Sequence, residues 1–264
     1  MTPDEFLSLA DNPNFIEGIY NYCDRWCERC PMSHRCLLFA STPPEENLPE
    51  GSVEEHKHAM LRQIEVSFTL TIDLLNKIAV EQGIDLADAS KTDHSMREHH
   101  QQRKDAEKSL LTRQAKQYLD GSMKWFKHCD AVLLEKDKEL EQVARMQLPN
   151  RNPEREIEEL KNAMDVIHWY QFQIAVKLVR AQTSRMRQID LEYDEEPSLK
   201  DSDGSAKVAL IGIDRSIGAW GIMLQALPNQ EEKILELLKI LDRLRRMTEE
   251  EFPNARSFIR SGLD

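Results

Sequence analysis

Four of the chain's five cysteines fall between residues 23 and 36, in the stretch YNYCDRWCERCPMSHRC: Cys23, Cys27, Cys30 and Cys36. A thiolate is a soft ligand, and the spacing C-x3-C-x2-C-x5-C supplies enough of them to complete the coordination of a zinc ion or an iron–sulfur cluster. Cysteine also serves as a small buried hydrophobe, but thiols this dense, set among charged neighbours, exceed what packing calls for. Structural zinc modules commonly pair two Cys-x2-Cys knuckles across a dozen or more residues, a layout this segment lacks. Three close cysteines with a fourth nearby are commoner at iron–sulfur sites. The residues therefore point first to a 4Fe-4S cluster held by all four cysteines, with zinc as the alternative.

Geometry attaches a condition to that reading. Cys23, Cys27 and Cys30 stand at i, i+4 and i+7 and would share one face of an unbroken helix, yet Cys23 and Cys30 would then be about 10 Å apart along the axis. Either the backbone unwinds near Trp26 or the cofactor is large. Pro31 stops a helix in any case, and the residues MSHR can loop round to return Cys36 as the fourth ligand. Arg25, Arg29 and Arg35 suit an anionic cluster, and Tyr20, Tyr22 and Trp26 can shield it from water.

The half CERCPMSHRC, Cys27 to Cys36, resembles the C-x2-C-P-x4-C segment of the four-iron four-sulfur staple in RecB-like iron–sulfur nucleases. Its spacing is also similar to part of the auxiliary-cluster motif of SPASM domains. Both resemblances imply cubane ligation by these cysteines. RecB-like nucleases carry their Asp and Glu-x-Lys on a sheet, and no convincing strand is legible here, so nuclease activity does not transfer. Radical SAM enzymes use C-x3-C-x2-C on a barrel with one iron left open, which a fourth ligand at Cys36 contradicts. The stretch CDRWCERC on a helical chain, and the chain as a whole, resemble uncharacterised bacterial helical proteins, which implies no activity.

A second set of donors lies outside the cysteine segment. Helical bundles that bind two metals use inward carboxylates with Glu-x-x-His pairs, because i and i+3 on one face can ligate together. Glu55 with His58, and Asp165 with His168, have that spacing. Glu65 lies near the His58 face, and Asp214 interrupts the apolar stripe Leu210, Ile217, Leu224. A carboxylate at a core position needs a cation or a metal, and Arg180 and Arg215 are the cations at hand. His58, Glu65, Asp165, His168 and Asp214 form the candidate second site, with ordinary salt bridges and a packed histidine as the alternative.

The elements that must position these residues read as helices. Charged residues make up 31% of the chain and hydrophobic ones 40%, with few glycines and aromatics, a composition of long helices. Thr2, Pro3 and Glu5 form a capping box with a first-turn proline. After the cysteines, STPPEENLPEGS is a Pro- and Glu-rich connector, and Ser52 with Glu55 caps a helix running to about Gln82. A polar stretch to Lys104 leads to a second, striped by Leu111, Ala115, Tyr118, Ser122, Trp125, Cys129 and Val132 and extending toward Met146. Asn152 and Pro153 cap a third. A fourth covers about Ala206 to Leu227, and Asn229 with Glu232 caps a fifth. Gly212, Gly218 and Gly221 mark a small-residue face on the fourth, and Cys129 reads as core. The expected fold is all-α: a bundle of four to five long antiparallel helices over residues 52–264, with a cysteine-rich metal-binding module over 1–45.

A net charge of −12 weighs against binding a phosphate backbone, although residues 97–127 carry eight Lys and Arg against four acids; such a run is more often a solvated helix face. The N-terminus lacks a signal peptide's pattern and no stretch is long enough to span a bilayer, so a cytoplasmic protein without membrane partners is expected, and a reducing cytosol favours metal over disulfide. The functions in view are a redox-sensing, electron-transferring or structural metalloprotein with a redox or protein partner, a zinc-stapled adaptor, and an enzyme using the carboxylate and histidine set. The oligomeric state is left open.

Overall fold

The computed structural model describes residues 2–42, 53–84, 93–146, 151–190 and 197–264, and their side chains except at 53–64, 66–67, 93–96, 188–190 and 197–200. Over these residues the chain is all-helical, with nine α-helices and no strand. Packing groups it into two compact units, Met1–Arg97 with Arg260–Asp264, and Glu98–Ile259. The division thus falls near residue 97, and the first long helix goes with the cysteine segment instead of with the helices that follow it.

In the first unit, α1 (Pro3–Ala10) opens on the expected capping box: Thr2 Oγ1 accepts from Glu5 N, and Thr2 N donates to the Glu5 carboxylate at 2.7 Å. α2 (Leu37–Ser41) follows the cysteines, and α3 (Val53–Gln82) ends beside Gly83, whose φ of +67° few other residues tolerate. α1 packs on both α2 and α3, and Asp4 pairs with Lys77. The Ser52–Glu55 capping box and the His58 side chain lie outside the described residues. Apolar residues at helical spacing on α3 are exposed: Phe68 is 66% exposed, and Ile72 and Leu75 are 54% exposed.

The second unit holds most of α4 (Asp93–Lys108), then α5 (Leu110–Lys127), α6 (Asp130–Met146), α7 (Pro153–Asp190), α8 (Pro197–Ala226) and α9 (Glu231–Glu251). α7 packs along α8, α8 on α9, α9 on α5 and α5 on α7, while α6 rests on α7. Heptad-like stripes drive this: Leu111, Ala115, Tyr118, Ser122 and Trp125 of α5 and Leu160, Ile167, Ile174 and Leu178 of α7 are buried. Cys129, 5% exposed, is core as expected, its Sγ 3.1 Å from Phe126 O.

Four details depart from the sequence reading, the first being that the fourth expected helix begins at Pro197 in place of about Ala206. The polar stretch before residue 108 is helical as α4. The helix expected to reach Met146 breaks at His128, whose N–H turns back to Trp125 O and Phe126 O. α9 begins at Glu231 behind Gln230, which makes no side-chain cap, in place of the Asn229–Glu232 box.

The core between α5, α7 and α8 is not purely apolar. Trp220 Nε1 donates to the Tyr118 hydroxyl at 3.1 Å, and Ser122 Oγ donates to Gln171 Oε1 at 2.9 Å, both pairs buried. A buried donor left unpaired costs far more than a satisfied bond contributes, so these pairs fix which helix faces meet. Burial pushes the Tyr118 phenol above its ordinary pKa, against bonds from Ser216, Trp220 and Ser122 that favour its ionised form.

The glycines of α8 do not share one role. A Cβ on Gly212 would stand 2.9 Å from Tyr170 Cδ1 and 3.2 Å from Ile174 Cγ1, whereas one on Gly218 or Gly221 meets nothing within 4 Å. Only Gly212 marks close helix approach. Gly212→Val is expected to lower stability by about 1–3 kcal/mol through overpacking, and Gly218→Ala to raise it by roughly 0.5–1 kcal/mol through helix propensity. Urea unfolding of both variants checks the contrast; equal effects would remove this account of the α7–α8 contact.

Candidate metal centre

Between α1 and α2 the chain forms no α-helix. Residues 14–36 are closed into a loop by Arg35, whose carbonyl accepts from Ile16 N at 3.0 Å while its Nε donates to Asn14 O at 3.1 Å. Inside the loop the backbone unwinds where the cysteine spacing requires it. Asp24 Oδ1 accepts from Trp26 N at 3.2 Å, and Arg25 between them is left-handed, with φ +60°. A non-glycine residue there costs of order 1 kcal/mol, so the turn is held by its surroundings.

Two short 3-10 turns follow, Cys27–Arg29 and Ser33–Arg35. Cys30 N donates to Cys27 O, Ser33 N to Cys30 O, and Cys36 N to Ser33 O, at 3.1, 3.4 and 3.1 Å. The sequences CERC and SHRC are thus twin turns, each closed by the N–H of its final cysteine. Cys23 sits one turn earlier, its Sγ 3.5 Å from Tyr20 O.

The consequence is convergence. Cys23, Cys27, Cys30 and Cys36 all line one largely enclosed cavity of about 30 Å³, walled by Tyr20, Trp26 and Phe39. All four are half-buried, and none is in a disulfide. Burial raises the pKa of the Cys27 thiol, and the neighbouring Cys23, Cys36 and Cys30, together with Glu28, push it further in the same direction. A thiol whose neighbours disfavour its ionised form lies close enough to them that a cation among them would favour it.

The surrounding residues sort differently from expectation. Tyr20, Trp26 and Arg25 line the cavity, and Tyr22 is not among its lining residues. Arg29 stacks 4.0 Å over the Trp26 ring, and Arg35 is spent on the backbone of the loop. One wall residue escaped sequence reasoning altogether. Leu263 reaches this cavity, and Gly262 beside it, at φ +69°, packs so closely that a Cβ would lie 2.7 Å from Ile16 Cδ1.

The donor chemistry fits a thiolate-bound metal centre. The thiols share the cavity without closing to the geometry of a bound ion; among the described residues no group of three or more His, Cys, Asp or Glu has that geometry. Of the second candidate set the His58 side chain lies outside the described residues, and Asp165, His168 and Asp214 belong to the second unit without forming such a group. His168 is exposed with its ring 4.0 Å from that of Phe126. Asp214 finds its cation in Arg256, Nη1 to Oδ2 at 2.5 Å, with Arg245 at 3.9 Å. The arginines expected there are engaged elsewhere, Arg180 with Asp201 at 2.5 Å and Arg215 with the Tyr170 hydroxyl.

No family model, curated protein or solved structure matches the chain. No helix among the described residues is long and apolar enough to cross a membrane.

Because the thiolate is the nucleophile, a raised pKa leaves less of it at neutral pH. Each of the four cysteines falls in its own tryptic peptide, Cys27 in Trp26–Arg29. Alkylation of the metal-free protein at pH 7 is expected to label Cys27 more slowly than free cysteine, with the rate rising as the pH is raised. Mass spectrometry of the peptides reads this, and labelling of Cys27 at pH 7 as fast as free cysteine would contradict the placement of its neighbours.

Proposed function

We propose that this protein is a metalloprotein with a bundle of four to five helices and an N-terminal cysteine module that holds a 4Fe-4S cluster through Cys23, Cys27, Cys30 and Cys36. The observation that carries the reading is the lining of one enclosed cavity by all four thiols, achieved by a left-handed residue and two 3-10 turns where a helix would have kept them apart. Three close cysteines with a fourth nearby are commoner at iron–sulfur sites than in structural zinc modules, which favours the cluster over a single ion. When bound, the cluster supplies one-electron redox chemistry. The chain's own part is to exclude water with Tyr20, Trp26, Phe39 and Leu263 and to place Arg25 beside the thiolates. Four protein ligands leave no iron open to a substrate. The role is accordingly structural, redox-sensing or electron-transferring, with a redox or protein partner.

A zinc-stapled adaptor is the second reading, and one observation favours its interaction half. Phe68, Ile72 and Leu75 form an exposed apolar stripe on α3, within the unit that holds the cysteines.

Purification without oxygen or chelator separates the two. The expected product is brown, with about four irons and four acid-labile sulfides per chain, as a cubane requires. Cys27→Ser or Cys36→Ser should lose most of the iron, and Cys129→Ser should keep it. A colourless folded protein with one zinc selects the adaptor; wild-type protein without either metal overturns both readings.

A further inference from the structure

The basic run of residues 97–127 is not wholly a solvated face. Along α5, Arg113, Lys116, Asp120, Lys124 and His128 recur at three- and four-residue steps and therefore share one side of the helix. That side forms one wall of a groove of about 900 Å³ whose other wall is α9, contributing Lys233 and Glu236. Gly121 allows the walls to meet: a Cβ there would lie 2.9 Å from Leu237 Cδ2.

The groove is positive in a negative protein. Arg113, Lys116, Lys124 and Lys233 face two acids, Asp120 and Glu236, whereas the whole chain carries −12. Among the described residues no carboxylate lies within ion-pair distance of Arg113, Lys116 or Lys124. This contrasts with the other basic residues of this fold that are tied to acids, such as Arg155 to Glu159 and Arg256 to Asp214. The floor is apolar, formed by Leu237, Ile240 and Trp125. Trp125 is 6% exposed and its indole N–H meets no acceptor in the protein. His128 gives Nδ1 to the Lys124 carbonyl at 2.8 Å, which leaves Nε2 for another partner.

We propose that the groove between α5 and α9 binds a small molecule bearing a multiply charged oxyanion, with the charge on Arg113, Lys116 and Lys124 and the body against Trp125 and Ile240. Unpaired cations above an apolar floor suit a ligand with one anionic end and one apolar end. The groove's size is that of small-ligand sites, which run to about 1,000 Å³. Asp120 and Glu236 within it, and the chain's overall charge, oppose a continuous phosphate backbone and so select a compact anion. This site is independent of the cysteine module.

The test titrates the full chain, at fixed ionic strength, with inorganic triphosphate and separately with citrate, by calorimetry and tryptophan fluorescence. The expected result is saturable one-to-one binding of at least one anion. Arg113→Gln and Lys124→Gln, neither of which breaks a bond of the fold, should each weaken it about tenfold, the loss of one charge-assisted contact. Lys136→Gln, on α6 and paired with Glu139, should leave it unchanged. Triphosphate alone binding identifies a phosphate compound, and citrate alone a polycarboxylate. No binding of either, or binding indifferent to both substitutions, overturns the site. Tighter binding of short single-stranded DNA than of triphosphate at the same salt, lost in the same variants, overturns the small-ligand assignment.

Discussion

The α-helix sets its residues apart by 1.5 Å each, and thiols that must meet cannot ride one for long. Most of this chain is helical, and the cysteine segment is where helix is refused. Arg35 clamps the loop at both its carbonyl and its guanidinium, Asp24 pulls the Trp26 amide round, and Arg25 takes a conformation that costs energy in isolation. Everything the segment offers chemically follows from that departure, because the same residues in regular helix would present a stripe and not a pocket. The short 3-10 turns do the remaining work by repeating one closure twice.

The second unit solves the opposite problem. Its helices are long and their stripes alone would permit several registers, so the buried pairs Tyr118–Trp220 and Ser122–Gln171 select one. Gly212 then lets α7 and α8 approach at Tyr170 and Ile174. Positional precision here rests on a few polar contacts and one missing side chain set within a large apolar area, which is why the outer surfaces of α5 and α9 are left free to carry charge.

Much of this was legible in the sequence where signals are local. The Thr2–Glu5 box, the span of α3, the start of α7 at Pro153 and the buried stripe of α5 all appear as expected, because capping and apolar period act within one or two turns. The misses have equally physical causes. α4 has almost no apolar face and is supported by pairs such as Gln101–Asp105 and Arg103–Glu107, to which a reading by apolar period is blind. The break at His128 is hidden because Trp125, Cys129 and Val132 keep the period across it. At the site, the cysteines announce themselves by type and spacing, but Leu263 does not, since an ordinary leucine more than 220 residues away carries no mark of its destination. Asp214 was legible as a carboxylate needing a cation, and Arg256 as its partner was not, since it sits beyond α9 in the turn Ala255–Ser257.

Leu263 also bears on the order of events during synthesis. The residues Arg260–Asp264 fold with the N-terminal unit although the entire second unit is translated before them. The cysteine-lined cavity therefore lacks one of its walls until α4 to α9 have been made, and the thiols are less enclosed through that interval. The cavity can close only after the whole second unit has been made, so its assembly depends on a contact between residues very far apart in sequence.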